Sequence, residues 1–223
     1  MPRKRYLPVK ENRLFTHDTT YDCINWNDFD TVVEAFDERI NEWYLRPIET
    51  LLKASVHFGF PVIGLTCLLV DTLSQYFYGK LESSATTFKD FVRANLPSFA
   101  TPLPQAISVP QILGVDRTIV DFAEALYYGF RCGILHEANV TQYGMIVGQD
   151  TAIKSVPSGY TKYVDTRDCP SIILDPRRFV TEVDFFYMDY ITNLKDSSAQ
   201  FDTLRSNFRE KFAWNFGIDI GNE

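Results

Sequence analysis

The residues best suited to chemistry in this chain lie in the run Phe130-Arg131-Cys132-Gly133-Ile134-Leu135-His136-Glu137. Arginine keeps its charge in a protein and offers a planar fork of donors that matches a phosphate. Histidine has an ordinary pKa near neutrality, so it can take up and release a proton within one cycle. One residue to hold a phosphate and one to move a proton form the smallest set that can break a phosphodiester without a metal. RNA supplies its own nucleophile, the 2′-hydroxyl. His136 then takes the general acid–base role, worth about 10²–10⁴-fold in rate. Arg131 grips the phosphate and offsets the charge that develops on it. Such a reaction leaves a 2′,3′-cyclic phosphate and a 5′-hydroxyl, and DNA resists it.

Neighbouring residues add to this set, each with a plainer role beside the chemical one. Asp71 lies in an apolar helical stretch, where a carboxylate needs a partner. Arg131 is the candidate, and Asp71 would then position the arginine rather than react. Cys132 is a weak hydrogen-bond donor that packs as a small hydrophobe, or a redox-sensitive thiol whose pKa falls beside a cation. Glu137 could orient the His136 of a second copy of the chain or receive a proton, or it is a solvated helix residue. Tyr127 and Tyr128 could stack bases but sit close to a core stripe, and His57 is expected to cap or pack locally. Gly133 either admits a close approach by another backbone or ligand or is simply tolerated in a packed helix. On an ideal α-helix, five positions amount to about 140° of rotation and roughly 7.5 Å of rise. Arg131 and His136 are therefore expected on different faces, so that one chain alone would not easily bring both to one phosphate.

The stretch from Tyr127 to Ala138, with Arg131-x4-His136 at its centre, resembles the motif helix of the HEPN superfamily, small helical proteins that include many metal-independent RNases. The resemblance implies an up-and-down four-helix bundle, in some members with a strand pair after the motif helix. It also implies a two-fold homodimer whose paired motif helices form one composite RNA-cleaving cleft. Stand-alone members of this size act as toxins of toxin–antitoxin pairs or in phage defence, so an antitoxin or regulatory protein is a further implied partner. The chain departs from the family pattern at Cys132, where active members usually carry Asn, Asp or His. Two other functions remain open. One is a noncatalytic RNA- or nucleotide-binding module. The other is a helical interaction protein, in which Arg131 pairs with an internal acid and His136 is sealed from solvent.

The elements that must position these residues read as mainly α, an up-and-down helical bundle with a small β-hairpin or meander inserted after the motif helix. Asp28 is a plausible N-cap, and apolar residues recur at steps of three and four from Val32 to Ile48, with Pro47 as a kink or restart. A second, nearly all-apolar helix runs from about Val62 to Tyr78 and closes at Gly79; a third spans 84–95. Four prolines make 97–110 a connecting loop over the bundle. The motif helix is expected to begin near Asp116, with Ile119, Leu126, Phe130 and Ile134 turned inward. Short β-branched or aromatic runs at 145–147, 153–156, 160–164 and 172–174 read as strands. Asp175-Pro176 opens another helix, and a last one covers about 198–213. The domain organisation is then a basic, partly irregular arm (1–27), one helical domain (28–215) with the β insertion at about 143–175, and a loose tail (216–223).

The 223 residues suffice for a full core. The net charge of −7 argues against a protein that coats nucleic acid nonspecifically, though not against a local basic cleft. Arg3, Lys4, Arg5, Lys10 and Arg13 could guide RNA or form a solvated tail. The four cysteines and three histidines lack ligand spacing, so no metal and no cofactor are expected. The apolar run 58–70 is too short to span a bilayer and no leader is visible. A cytoplasmic location with reduced thiols and no membrane partner follows. No phosphate-loop, nucleophile-elbow or zinc-protease motif offers another enzyme class.

Overall fold

The computed structural model describes residues 13–112, 115–140, 144–148, 151–156 and 171–221. Among them the fold is mainly helical, as the periodicity predicts. α1 (Phe29–Ile40) starts at Asp28, whose carboxylate accepts the Asp30 N–H. It passes through a π-helical turn (Asn41–Leu45) into α2 (Arg46–Ala54). The turn stands just before Pro47, which has no N–H to return to the carbonyl four residues back. The ladder widens there rather than breaking.

α3 (Gly59–Tyr78) is the central element, packed against α2, α4 (Ala85–Asn95), the motif helix and two C-terminal helices. It is long and apolar enough to cross a membrane. However, 61% of its most apolar window is buried inside the fold, and Asp71 lies within it. Its partners bury most of its surface, which explains most of its apolar composition, although Pro61 and Leu68 stay exposed. Gly79, at φ 62°, ends it in the left-handed conformation glycine adopts without strain.

The segment after α4 corrects two expectations. Residues 97–110 are not a loop, and the motif helix does not begin near Asp116. β1 (Pro102–Ile112) pairs antiparallel with β2 (Val115–Asp121), with Ile107 opposite Ile119 and Val109 opposite Arg117. The register slips between Pro102 and Ile107 and again between Val109 and Ile112, the two intervals that contain Pro104 and Pro110. In a two-stranded ribbon each strand keeps a free edge, so a proline can sit where no donor is required. Ile119 is buried between exposed Thr118 and Val120, a period of two rather than of three or four.

The insertion after the motif helix contains the antiparallel pair expected of a hairpin, but a parallel strand on its other edge makes the sheet no meander. β3 (Gly144–Ile146) runs parallel to β5 (Ser171–Leu174), and β4 (Ile153–Val156) pairs with the other edge of β5 antiparallel. β5 is thus the middle strand and is buried along its length. The strand expected at 160–164 and the thiol of Cys169 lie outside the described residues. Asp175 then caps α6 (Pro176–Lys195) by accepting the Arg177 and Arg178 N–H groups at 2.8 and 3.1 Å. α7 (Asp202–Phe216) completes the fold and runs three residues beyond its expected end.

Both ends of the described chain are bound more firmly than expected. Residues 13–27 are mostly irregular, as expected, but packed onto the bundle: Phe15 is fully buried among Tyr21, Trp26, Phe212 and Phe216. Ile220 is buried as well, and the Gly221 N–H donates to the Trp26 carbonyl at 3.1 Å. The basic residues Arg3, Lys4, Arg5 and Lys10 lie outside the described residues.

Candidate functional site

The motif helix grows out of the β ribbon. Asp121 closes β2 and caps a single α turn (Phe122–Glu124), its carboxylate accepting the Glu124 N–H at 2.8 Å. From Ala125 to Glu137 the helix is π-helical. Such helices bond i to i+5, are rare beyond one turn, and gather at functional sites. The widened turn ends at Ala138, which holds φ 51° and ψ 34°. That conformation costs an alanine about 1–3 kcal/mol, so surrounding contacts hold the chain there, including the Asn139 N–H on the Gly133 carbonyl at 3.1 Å.

The π geometry reverses the expectation that Arg131 and His136 face apart. Residues five apart are about one turn from each other when the ladder runs i to i+5. Arg131 Nη1 and His136 Nε2 accordingly meet at 3.3 Å. A guanidinium can only donate, so this contact is a hydrogen bond when Nε2 is unprotonated, with the ring proton on Nδ1. His136 is exposed to solvent, whereas the Arg131 side chain is 14% exposed.

Asp71 does meet Arg131 across the bundle. Its Oδ2 accepts from Arg131 Nη2 at 3.0 Å, and its Oδ1 accepts from the Ser83 hydroxyl at 2.6 Å. Burial alone would lower the arginine pKa. The bond to Asp71 and that residue's charge outweigh it and raise the pKa, which favours the charged guanidinium. The fork is divided: one arm is tied to the carboxylate, and the other is free to turn from His136 to a ligand. Arg131 Nε is buried with no protein partner, and the guanidinium lies 5.4 Å from the Tyr127 ring centre.

Cys132 is not the poised thiol that a neighbouring cation might have made. Desolvation raises its pKa, and that effect outweighs the opposing pull of Arg131, of Arg117 and of its bonds to Arg131 and the Tyr127 hydroxyl. It fills space under the site. Gly133 is buried within the chain. The close helix–helix approach lies beside it: a Cβ on Gly64 of α3 would stand 3.1 Å from Ile134 Cγ2. The Glu137 side chain lies outside the described residues. His57 is exposed in a turn where its N–H donates to Ser55 Oγ, and the His17 N–H donates to Glu42. No hydrogen bond or ion pair joins either histidine to Arg131 or His136.

Arg117 is the residue that sequence reasoning missed. From β2 it stacks on Tyr128, with the guanidinium carbon 4.4 Å from the ring centre, and donates to the Tyr128 hydroxyl at 3.1 Å. Lys89 approaches the same ring at 5.2 Å. Lys89 and Arg93 are neutralised by Glu124 and Asp121, whereas no ion pair among the described residues uses Arg117. Its available signal was register. Arg117 is two residues from buried Ile119, hence on the inward face of β2, which is legible only once the segment is read as a strand.

Among the described residues no three His, Cys, Asp or Glu side chains converge on a possible metal position. Comparison with protein-family models, with curated proteins and with solved structures returned no match.

Proposed function

We propose that this chain is a HEPN-type, metal-independent endoribonuclease with Arg131 and His136 as its catalytic pair. The observation that carries the reading is the 3.3 Å approach of Arg131 Nη1 to an exposed His136 Nε2, with the arginine's other arm fixed by Asp71. His136 Nε2 receives the 2′-hydroxyl proton and the 2′-oxygen bonds to phosphorus. The bond to the 5′-oxygen breaks, and that oxygen is protonated on leaving. Arg131 neutralises the phosphorane, an effect of about 10²–10³-fold where one preorganised donor is concerned. A single histidine per site supplies the base or the acid of one turnover. A second copy of the chain, bringing its own motif helix, would supply the other, and isologous pairs are the commonest assemblies. Toxin–antitoxin or phage-defence use in the cytoplasm belongs to the same proposal, as does the up-and-down HEPN arrangement of the bundle.

One observation favours a noncatalytic RNA- or nucleotide-binding module. Arg131 is already paired with a buried carboxylate, and a buried hydrophobic thiol stands where active HEPN proteins carry a polar residue. A direct experiment separates the readings. The protein, His136→Ala and Arg131→Ala are each incubated with total RNA in EDTA, and product ends are mapped. Cutting by the parent alone, with 2′,3′-cyclic phosphate ends, supports the nuclease. RNA bound but uncut by the parent, with binding lost in Arg131→Ala, supports the module and refutes the nuclease.

A further inference from the structure

The C-terminal ends of α3 and α4, the second half of α6 and the start of α7 line a half-open cavity of about 580 Å³, within the range of small-molecule sites. One side is aromatic. Phe186 and Tyr190 lie one turn apart on α6 with ring planes 17° apart, and Phe77 meets Phe186 at 5.8 Å. The other side carries carboxamides. The Asn95 and Asn207 amide nitrogens donate to the Phe91 and Phe77 carbonyls at 2.9 and 2.8 Å, which leaves each side-chain oxygen as an acceptor. Asn193, on the cavity wall, makes no hydrogen bond within the described protein and offers both donor and acceptor. Tyr190, also on the wall, is 2% exposed, so its hydroxyl is sealed inside the fold and is not offered to a ligand.

The charge of the wall narrows the ligand class. Asp189 is the one ionisable acid or base on it apart from tyrosine, so a phosphate or carboxylate would meet no cation. A lipid or other purely apolar ligand would leave Asn193 and the Asn95 and Asn207 side-chain oxygens without a partner. A flat, uncharged heterocycle with donors and acceptors on its edge satisfies both sides. Bases are held in this way, stacked on aromatic rings and bonded along their edges. A carboxamide pairs bidentately with adenine through N6 and N7.

We infer that this cavity between α3, α6 and α7 binds an uncharged purine base, adenine by its edge, with Asn193 as the reading group. Free adenosine and an unstacked adenine of RNA share that chemistry. The inference stands apart from the nuclease reading, because the cavity shares no lining residue with Arg131, His136 or Asp71.

The test is calorimetric titration of the full chain with adenosine, uridine and adenosine 5′-monophosphate, repeated with Asn193→Ala and Leu204→Trp. Adenosine should bind, with uridine weaker by about tenfold or more and the monophosphate no tighter than the nucleoside. Asn193→Ala should weaken adenosine by about tenfold with an unchanged thermal midpoint. Leu204→Trp, which fills the cavity, should abolish binding while circular dichroism stays native. An oligoadenylate that displaces adenosine identifies RNA as the source; one that does not identifies the free nucleoside. Absence of adenosine binding at millimolar concentration overturns the inference, as does binding indifferent to both substitutions or much tighter monophosphate binding. His136→Ala should bind adenosine like the parent, so loss of cleavage and loss of this site are read separately.

Discussion

Replacing Asp71 with asparagine tests whether a carboxylate inside α3 holds Arg131 in place. The side chains of Asp71 and Arg131 are 10% and 14% exposed, and Oδ2 to Nη2 is 3.0 Å, so solvent screens the pair little. Deleting one partner of a buried pair costs about 3–5 kcal/mol, because the other charge is stranded. Asparagine keeps the shape: with its oxygen still accepting from Arg131 Nη2, its NH2 can donate to the Ser83 hydroxyl, now 2.6 Å from Oδ1. The loss then reduces to the charge-assisted bond, about 1.5–3 kcal/mol. For a domain of this size that is a fall of about 3–12 °C in Tm. Thermal and urea unfolding of Asp71→Asn, Arg131→Gln and the double variant form a cycle. Groups in contact should couple by about 0.5–3 kcal/mol, so the double variant should lose less than the two single losses together. RNA cleavage by Asp71→Asn, assayed below its Tm, should fall chiefly in kcat, since a loosened guanidinium still binds phosphate but no longer meets it in register with His136. An unchanged Tm with zero coupling would refute the anchor. A lowered Tm with parental kcat would leave Asp71 a structural residue alone.

Three further outcomes follow from the same geometry. Arg117→Ala should weaken RNA binding with the base preference unchanged, and should reduce the slope of log K against log salt by about 0.7, one single-strand phosphate contact; filter binding across a salt series reads it. Among the described cysteines, iodoacetamide at pH 8 should label exposed Cys23 first. Cys67 and Cys132, whose pKa values burial raises, should react only as the protein unfolds, which peptide mass mapping would show. Gly64→Val should cost about 1–3 kcal/mol, since even a Cβ there stands 3.1 Å from Ile134 Cγ2. Because Ile134 lies between Arg131 and His136, cleavage should drop as well, measured at a temperature where the variant is folded.

How much of this was legible beforehand depends on which interactions are local. Asp28, Ser84 and Asp175 announce helix starts because a cap is a contact between residues two or three apart. The Asp71–Arg131 pair was legible for a different reason. A carboxylate in an apolar helix has few ways to be satisfied, and a buried arginine elsewhere is one of them. The β ribbon was not legible, since its prolines signal a loop unless one knows that the strand has a free edge. Free edges are a property of sheet order, which no local window contains. Arg117 was lost with the ribbon, because its inward direction exists only in the strand register.

The motif helix shows the same limit with a larger consequence. Its residues fit a helix of either pitch, and the α assumption sends Arg131 and His136 to different faces. From that step alone a second chain seemed necessary to bring arginine and histidine together. With i to i+5 bonding, one chain brings them to 3.3 Å. The reason to expect a dimer therefore moves from geometry to proton accounting, since cleavage needs an acid as well as a base and this site has one histidine. The two grounds predict different things. If pairing were needed to assemble the arginine–histidine contact, a chain held monomeric would neither bind nor cut RNA. If pairing supplies only the second proton donor, a monomeric variant should bind RNA with parental affinity and cut slowly. A substrate with an activated 5′-leaving group, which needs no acid, should then restore most of its rate. Failure of that substrate to rescue a monomer that binds RNA would count against the one-histidine account.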